Sequence, residues 1–448
     1  MVIIMYRALI ILTNRFLSFI CKVAKKNGSV FPGSITFHMD FKILTKIKYP
    51  KYVIGITGSS GKGSTTEVVA HILKNAGYDV VYNKSGSNGV RALATLILNN
   101  CSLLGKFRGD VLLLEIDERH IHLAFPRSTL THLLITNITR DQPARNIHPD
   151  SIYEFITRKI TSDTELIINA DDPLVSKVKT THLGRITTYG LSRTEYSYDK
   201  PVLEVIDNAY CPKCFKKLNY AYYHYGHLGS YVCSTCDFGR CNVDYEAKEI
   251  NLDKQEMIIN KNKVHINKNI LYAAYYTTAA YALCSTLGIS KKTILHALND
   301  DFVKPKRANI YMLDNRKFNM LESKNENALS YYQSLRYIVD QDGVKSVILG
   351  FDNVSRRYEF NDLSWLWDVE FEMLNDKSVD KIICIGRFKY DVATRLEYAG
   401  INKKKLILVE NLNDLLNITE LKSKGDIYTM VCFDMTYAIK KMLRGDYS

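Results

Sequence analysis

At 448 residues the chain is long enough for two or three domains, each with its own core. A hydrophobic fraction of 46%, with only 9 prolines and 23 glycines and no repeat, excludes a disordered or solenoid protein. The formal charge of +13 favours polyanionic partners such as nucleotide phosphates or an anionic membrane surface, and no compact Lys/Arg block with interleaved aromatics supports nucleic acid.

The first segment, MVIIMYRALIILTNRFLSFICKVAKK, is apolar but interrupted by Arg7, Asn14 and Arg15, and no small-residue cleavage site follows it. That pattern disfavours a transmembrane span and predicts an amphipathic helix, packed on the protein in the first instance and otherwise lying on a membrane. Residues 1–50 are read as a helical lead-in. KYVIGIT (51–57) then reads as a buried strand, followed by a glycine-rich turn and the helical run STTEVVAHILKNAG. Apolar strands continue at 80–82, 109–117, 131–138 and 165–170, and strands alternating with helices predict a mostly parallel, doubly wound sheet over 51–305. Around residue 205 the texture becomes Tyr- and Cys-rich up to Cys241; short alternating runs between 242 and 266 then read as antiparallel hairpins, and 270–288 as a helix. Strands at 346–351, 381–386 and 405–410, with helices at 390–400 and near the C-terminus, predict a separate α/β domain over 306–448.

GITGSSGKGSTT (55–66) sits after a strand and before a helix. Gly58, Ser59, Ser60, Gly61, Lys62, Gly63, Ser64 and Thr65 form a loop whose N–H groups and helix N-terminus suit phosphate oxygens. Lys62 is the group to reach the β- and γ-phosphates, and Ser64 or Thr65 the hydroxyl to hold Mg²⁺. Glu115, at the carboxyl end of VLLLEID, stands where open α/β sheets bind ligands, and such a carboxylate suits a hard Mg²⁺ ion.

Ten cysteines occur, but not as a disulfide framework. CPKC (211–214) and CSTC (233–236) have the spacing of a zinc ribbon, in which Cys211, Cys214, Cys233 and Cys236 hold one tetrahedral Zn²⁺. With four thiolates and no open position, such a site is structural, in a reducing compartment.

The loop string is similar to the TGxxGKxxT loop of Mur ligases and folylpolyglutamate synthetases. Taken with FPGS (31–34), LLLEIDER (112–119), TNITRDQ (136–142), NADDP (169–173), the CxxC insertion holding YGHLG, NDLSWLWD (361–368) and GRFKYDVATRLEYAG (386–400), the chain resembles the MurT family, the synthetase subunit of lipid II isoglutaminyl synthase. It departs from that family where Ala273 and Tyr276 replace asparagines, where KPKRANI retains only Arg307, and where KNENA keeps Lys324 and Asn325, so it resembles a divergent member. The resemblance implies an α/β fold: a Mur ligase-type central ATP-binding domain with a four-cysteine zinc ribbon inserted at about 205–242, plus a MurT-type C-terminal α/β domain. It implies ATP-dependent amidation of the D-glutamate α-carboxylate of lipid II, through an acyl phosphate, with ATP, Mg²⁺ and Zn²⁺ bound. Asn137 and Arg307 would then join the nucleotide site, with Lys62 and Glu115 in catalysis. Ammonia would come from a class I glutaminase subunit (GatD-like), because no Gly-x-Cys-x-Gly elbow occurs here; Asp362, or Asp368 second, would serve that partner's Cys–His pair. Such an enzyme is expected in the cytoplasm, in peripheral contact with the inner membrane leaflet. The competing expectations are another Mur-type carboxylate–amine ligase and a non-catalytic scaffold of the same fold.

Overall fold

The computed structural model describes residues 2–84, 87–125, 129–140, 148–201, 206–268, 270–300, 309–321, 327–352 and 361–444. The chain divides into two compact units, the first comprising 1–139, 149–201 and 207–304, the second 140–148, 202–206 and 305–448.

The first unit opens with helices α1 (Val2–Val23) and α2 (Phe31–Met39). There follow β1 (Tyr52–Thr57), α3 (Lys62–Asn75), β2 (Val80–Tyr82), α4 (Val90–Asn99), β3 (Val111–Glu115), α5 (Ile121–Ala124), β4 (His132–Ile135), α6 (Pro149–Thr157), β5 (Glu165–Asn169), α7 (Pro173–Ser176) and β6 (Ile186–Leu191). A separate hairpin, β7 (Leu218–Tyr225) and β8 (Leu228–Cys233), precedes β9 (Tyr245–Asn251), β10 (Glu256–Ile259), β11 (Asn262–His265), α8 (Leu271–Thr286) and α9 (Lys291–Leu298). One nine-stranded sheet runs β11-β10-β9-β6-β5-β4-β1-β3-β2. Its pairs from β2 to β9 are parallel, and only β9-β10 and β10-β11 are antiparallel.

The parallel strands are apolar along their length because helices cover both faces: every residue of β3 is buried, as is β1 from Val53 to Thr57. On one face, Ile97, Leu98, Leu112, Leu114, Leu133 and Ile152 belong to a core that also takes Ile10 and Ile11 from α1. Strand β1 pairs with β3 on one side and β4 on the other, so the chain reverses its winding about β1. Ligands of open parallel sheets bind at the carboxyl ends of such strands.

Helix α1 is the expected amphipathic helix, packed on the unit by one face only. It buries Ile10, Ile11 and Asn14 against its neighbours, yet its outer face is left open, and Ile4–Val23 is long and apolar enough to cross a membrane. The interrupting residues that argued against a span all face inward: Asn14 donates to Thr95 O at 3.1 Å and to Asn99 Oδ1 at 2.9 Å, Arg7 donates to Lys46 O at 3.1 Å, and Arg15 to Cys101 O.

The second unit contains β12 (Asn309–Leu313), β13 (Arg316–Leu321), α10 (Ala328–Asp340), β14 (Lys345–Gly350), β15 (Val379–Ile385), α11 (Lys389–Tyr398), β16 (Leu406–Val409), α12 (Leu415–Lys422), β17 (Asp426–Val431) and α13 (Phe433–Leu443). Its sheet runs β12-β13-β17-β14-β15-β16, parallel except for the β12-β13 pair. Apolar clusters cover both faces, one centred on Val347, Trp365 and Leu396, the other on Ile348, Ile383 and Ile439.

Candidate functional site

The phosphate-type loop leaves the carboxyl end of β1 and turns directly into α3. Two glycines permit the turn: Gly58 at φ 123° and Gly61 at φ 87° occupy left-handed backbone. A Cβ on Gly58 would lie 2.3 Å from Thr136 Oγ1, and one on Gly61 would lie 2.0 Å from the Tyr272 hydroxyl. The loop is braced by the segment that follows β4. Asn137 Oδ1 accepts from both the N–H and the hydroxyl of Ser60 at 3.1 Å, Ser59 N–H donates to Asn137 O at 2.8 Å, and the Ser59 hydroxyl donates to Thr139 O at 3.0 Å. Asn137 is therefore a loop brace in this structure, and the loop N–H groups are held in position before any ligand arrives.

Lys62 begins α3 and is buried. Its ammonium donates to Glu118 Oε1 at 2.6 Å and to Gly58 O. Glu118 is buried as well, so the two charges stabilise each other where either alone would be costly. Glu115 ends β3; its Oε1 accepts from Asn88 Nδ2 at 2.9 Å, and its Oε2 lies 3.2 Å from where a Cβ on Gly63 would stand. The carboxylate is thus turned toward the first turn of α3. There the Thr65 hydroxyl is donated back to Gly61 O at 2.8 Å, while Ser64 is half-buried. Glu115 and Ser64 are hard oxygen donors of the kind Mg²⁺ takes, and the loop N–H groups and Lys62 suit phosphate.

Helix α8 closes over this loop. Tyr272 stands on Gly61, with burial pushing its phenol up to about 12. Ala273 is buried, and Tyr276, packed edge-on to Tyr272 at 5.7 Å, donates its hydroxyl to Asn267 Oδ1. Arg307, with Lys324 and Asn325, lies outside the described residues.

The Cys211, Cys214, Cys233 and Cys236 thiols lie within 4.8 Å of one another. Sulfur pairs stand 3.6 Å (Cys211–Cys236) and 3.4 Å (Cys214–Cys233) apart, near the about 3.8 Å edge of a tetrahedron with Zn–S bonds of about 2.3 Å. The N–H groups of Lys213 and Thr235 donate to the Cys211 and Cys233 sulfurs at 3.4 Å, as suits thiolates.

One buried cluster was not singled out from the sequence. Asp171 and Asp172, fully buried after β5, face the hairpin. Asp171 accepts from Arg240 Nε at 2.7 Å, the Tyr275 hydroxyl at 2.7 Å and Leu191 N–H at 2.8 Å. Asp172 accepts from His227 Nε2 at 3.0 Å, from Ile138 N–H at 2.8 Å and from Leu174 N–H at 2.9 Å, capping α7. The signal was present in adjacent acids within NADDP and two histidines within YHYGHLG, residue types that are seldom buried without partners.

In the second unit, Asp362 Oδ1 accepts from Ser364 N–H at 2.9 Å at the start of a short 3₁₀ turn (Ser364–Asp368). Asp368 pairs with Arg140 at 2.8 Å. Trp365 is a core residue, 5.0 Å from the Tyr331 ring, whereas Trp367 is exposed, with Tyr398 edge-on at 5.3 Å and the Arg395 guanidinium over its ring.

Two family models match the chain: Mur ligase middle domain over residues 56–208 and MurT ligase C-terminal over 324–437. Among curated proteins, the lipid II isoglutaminyl synthase (glutamine-hydrolyzing) subunit MurT of Staphylococcus aureus is 27% identical over 383 residues, covering 84% of each chain. The corresponding subunit of Streptococcus pneumoniae is 25% identical over 427 residues, covering 93% of this chain and 92% of that one. Solved structures with the same fold include a pseudomurein peptide ligase type C from Methanothermus fervidus (TM-score 0.64, 21% identity, 90% of this chain and 80% of that one). Another is MurF ligase from Thermotoga maritima in complex with ADP (TM-score 0.56, 16% identity, 93% and 85%).

The buried histidines carry opposite pH signs. Burial pulls the His227 imidazole down, but the adjacent Asp172 carboxylate outweighs it and the pKa is raised above 6.5. Its contribution to stability is therefore full below 6.5 and is lost as pH rises through the folded value. Burial lowers the His224 pKa in spite of Asp171, so that residue costs stability as pH falls below 6.5. The urea-unfolding stability gap between wild type and His227→Gln is expected to be wider at about pH 6 than at about pH 9.

Proposed function

Because this chain belongs to the MurT family of Mur-type ligases, we propose that it is the synthetase subunit of a lipid II isoglutaminyl synthase, converting the D-glutamate α-carboxylate of the lipid II stem peptide to the amide of D-isoglutamine at the expense of ATP. The observation that carries this reading is that one chain joins a Mur-type phosphate loop, with Lys62 and Glu115 in place, to a MurT C-terminal domain. In the reaction a carboxylate oxygen bonds to the γ-phosphorus and ADP leaves, giving an acyl phosphate. Ammonia nitrogen then bonds to the acyl carbon, phosphate departs with its electron pair, and a proton is lost from nitrogen.

Phosphoryl transfer asks the protein mainly for positioning and for stabilisation of charge. The loop N–H groups and the α3 N-terminus would hold the phosphates. Lys62 would keep Glu118 Oε1 and turn a further ammonium N–H to a phosphate oxygen, so neither buried charge is left unpaired. A magnesium ion held by Glu115 and Ser64 would supply charge neutralisation on the phosphate oxygens. Tyr272 would close the loop against water, which otherwise hydrolyses an acyl phosphate. Tyr276 and its bond to Asn267 stand where the resemblance expects an asparagine, and this replacement is what favours a non-catalytic scaffold as the second reading.

Ammonia would be delivered by a GatD-like class I glutaminase. Of the two aspartates, Asp368 is engaged by Arg140, which makes Asp362, half-exposed at the turn, the better residue to complete the partner's Cys–His pair. The four-cysteine hairpin is a structural zinc ribbon, clamped to the ATP-binding unit by Asp171 and Asp172. The enzyme would work in the cytoplasm, in peripheral contact with the inner membrane face where its lipid-linked substrate lies.

Purified full-length protein given lipid II, ATP, magnesium and ammonium is expected to form ADP and an amidated stem peptide, read by mass. Lys62→Ala is expected to lower that rate by about two orders of magnitude or more. Asp362→Asn, assayed with the glutaminase subunit, is expected to lose glutamine-dependent amidation and keep the ammonium-dependent rate. Folded wild-type protein that forms neither ADP nor product would favour the scaffold. Metal analysis of the purified chain is expected to find about one zinc, lost in Cys236→Ser; a chain that is folded and zinc-free would remove the ribbon.

A further inference from the structure

The outer face of α1 is apolar and faces no part of the first unit. Met5, Leu9, Leu12, Phe16, Phe19 and Val23 recur at intervals of three and four residues, which places them in one stripe about 27 Å long. All six are exposed, Phe16 and Phe19 each at 63% and Val23 at 66%. Val30, Phe31 and Ile35, on or just before α2, are exposed as well. A contiguous apolar face of this length on a soluble protein marks a site that something covers.

Charge identifies the occupant. Residues 1–39 contain no aspartate or glutamate, and Asp40, the one acid before residue 49, is paired with Lys46 at 2.6 Å. Lys22, Lys25 and Lys26 at the end of α1, and Lys42 and Lys48 beyond α2, are exposed cations around the stripe. A second copy of this face would bring cations onto cations, whereas anionic lipid headgroups would neutralise them. A membrane-crossing role is opposed by the inner face: Asn14 is fully buried with bonds to Thr95 and Asn99, and Arg7 and Arg15 are bonded to backbone carbonyls of the same unit. Crossing the bilayer would break all of these and carry two arginines and an asparagine into hydrocarbon.

We infer that α1 is a fixed monotopic anchor, lying in the interface of an anionic bilayer with the Met5–Val23 stripe among the acyl chains and its lysines among the headgroups. The inference rests on the proposed lipid-linked substrate only for its purpose; its geometry stands without it. Held in this way, the enzyme meets its substrate by diffusion in the plane of the membrane.

The test is co-sedimentation of the full-length protein with phosphatidylcholine vesicles, with and without about 30% phosphatidylglycerol. Wild type is expected to bind the anionic vesicles and to be released by salt and by alkaline carbonate. The double variant Phe16→Glu/Phe19→Glu is expected to bind about tenfold or more weakly, with unchanged circular dichroism and unfolding temperature. Leu183→Glu, at a residue 92% exposed elsewhere on the unit, is expected to bind as wild type does. Binding of the double variant equal to wild type, equal binding to neutral vesicles, or resistance to carbonate would each overturn the proposal. So would a wild-type dimer that the double variant disperses, since a second copy would then cover the face. Amidation of a water-soluble, short-chain lipid II analogue by the double variant at the wild-type rate separates the anchor from the chemistry: loss of vesicle binding without loss of that rate supports the anchor, whereas an inactive wild type refutes the proposed reaction and leaves the vesicle result standing.

Discussion

Two adjacent carboxylates buried at the end of β5 are the constraint on which the ATP-binding unit depends. Charges in such a place persist only when each is matched, and removing a partner from a buried pair costs about 3–5 kcal/mol. The partners of Asp171 and Asp172 come from every element around the site: Arg240 and His227 from the cysteine hairpin and its exit, Tyr275 from α8, Leu191 from β6, and Ile138 from the segment that braces the phosphate loop. The hairpin is therefore more than an appendage. Through Asp172, the Ile138 N–H beside the loop brace and the His227 side chain of the cysteine hairpin share one carboxylate. A cysteine-rich insert can in this way stiffen a phosphate-type loop it does not itself line.

The second organising feature is a lysine held by an internal anion. Lys62 rests between Glu118 Oε1 and Gly58 O, inside a loop whose shape is already set by Ser59, Ser60, Thr136 and Asn137. In the proposed reaction, nucleotide binding would add a phosphate oxygen to the partners of this ammonium group, and the loop backbone would need little rearrangement. Such preorganisation lowers the cost of stabilising charge during phosphoryl transfer.

Much of this was legible in the residues. Continuous apolar runs gave β1, β3, β4 and β5, because strands covered on both faces have no polar side. The glycine loop and the CxxC pairs were legible because their chemistry needs fixed residue types at fixed spacing. Strand β6 was not, since ITTYGL begins half-buried and mixes threonines with apolar residues; nor was the β12-β13 hairpin, where NIYML and RKFNML carry polar residues on an edge. The Asp171–Asp172 hub escaped for another reason: apart from the local cap on α7, its partners lie between 20 and 104 residues away along the chain, and only the fold brings them together. On α1, sequence identified an amphipathic helix but not which residues faced inward; the polar interruptions turned out to be its anchor to the domain, and the apolar stripe its open side.

In the proposed reaction the carboxylate is activated by direct transfer of phosphate to one of its oxygens. That step is tested most directly with lipid II whose D-glutamate α-carboxylate carries a heavy-oxygen label, turned over with ATP and ammonium, and with the released inorganic phosphate analysed by mass spectrometry. An acyl phosphate requires one labelled oxygen to leave with each phosphate, in proportion to the amide formed. Unlabelled phosphate released alongside amidated product would contradict the account.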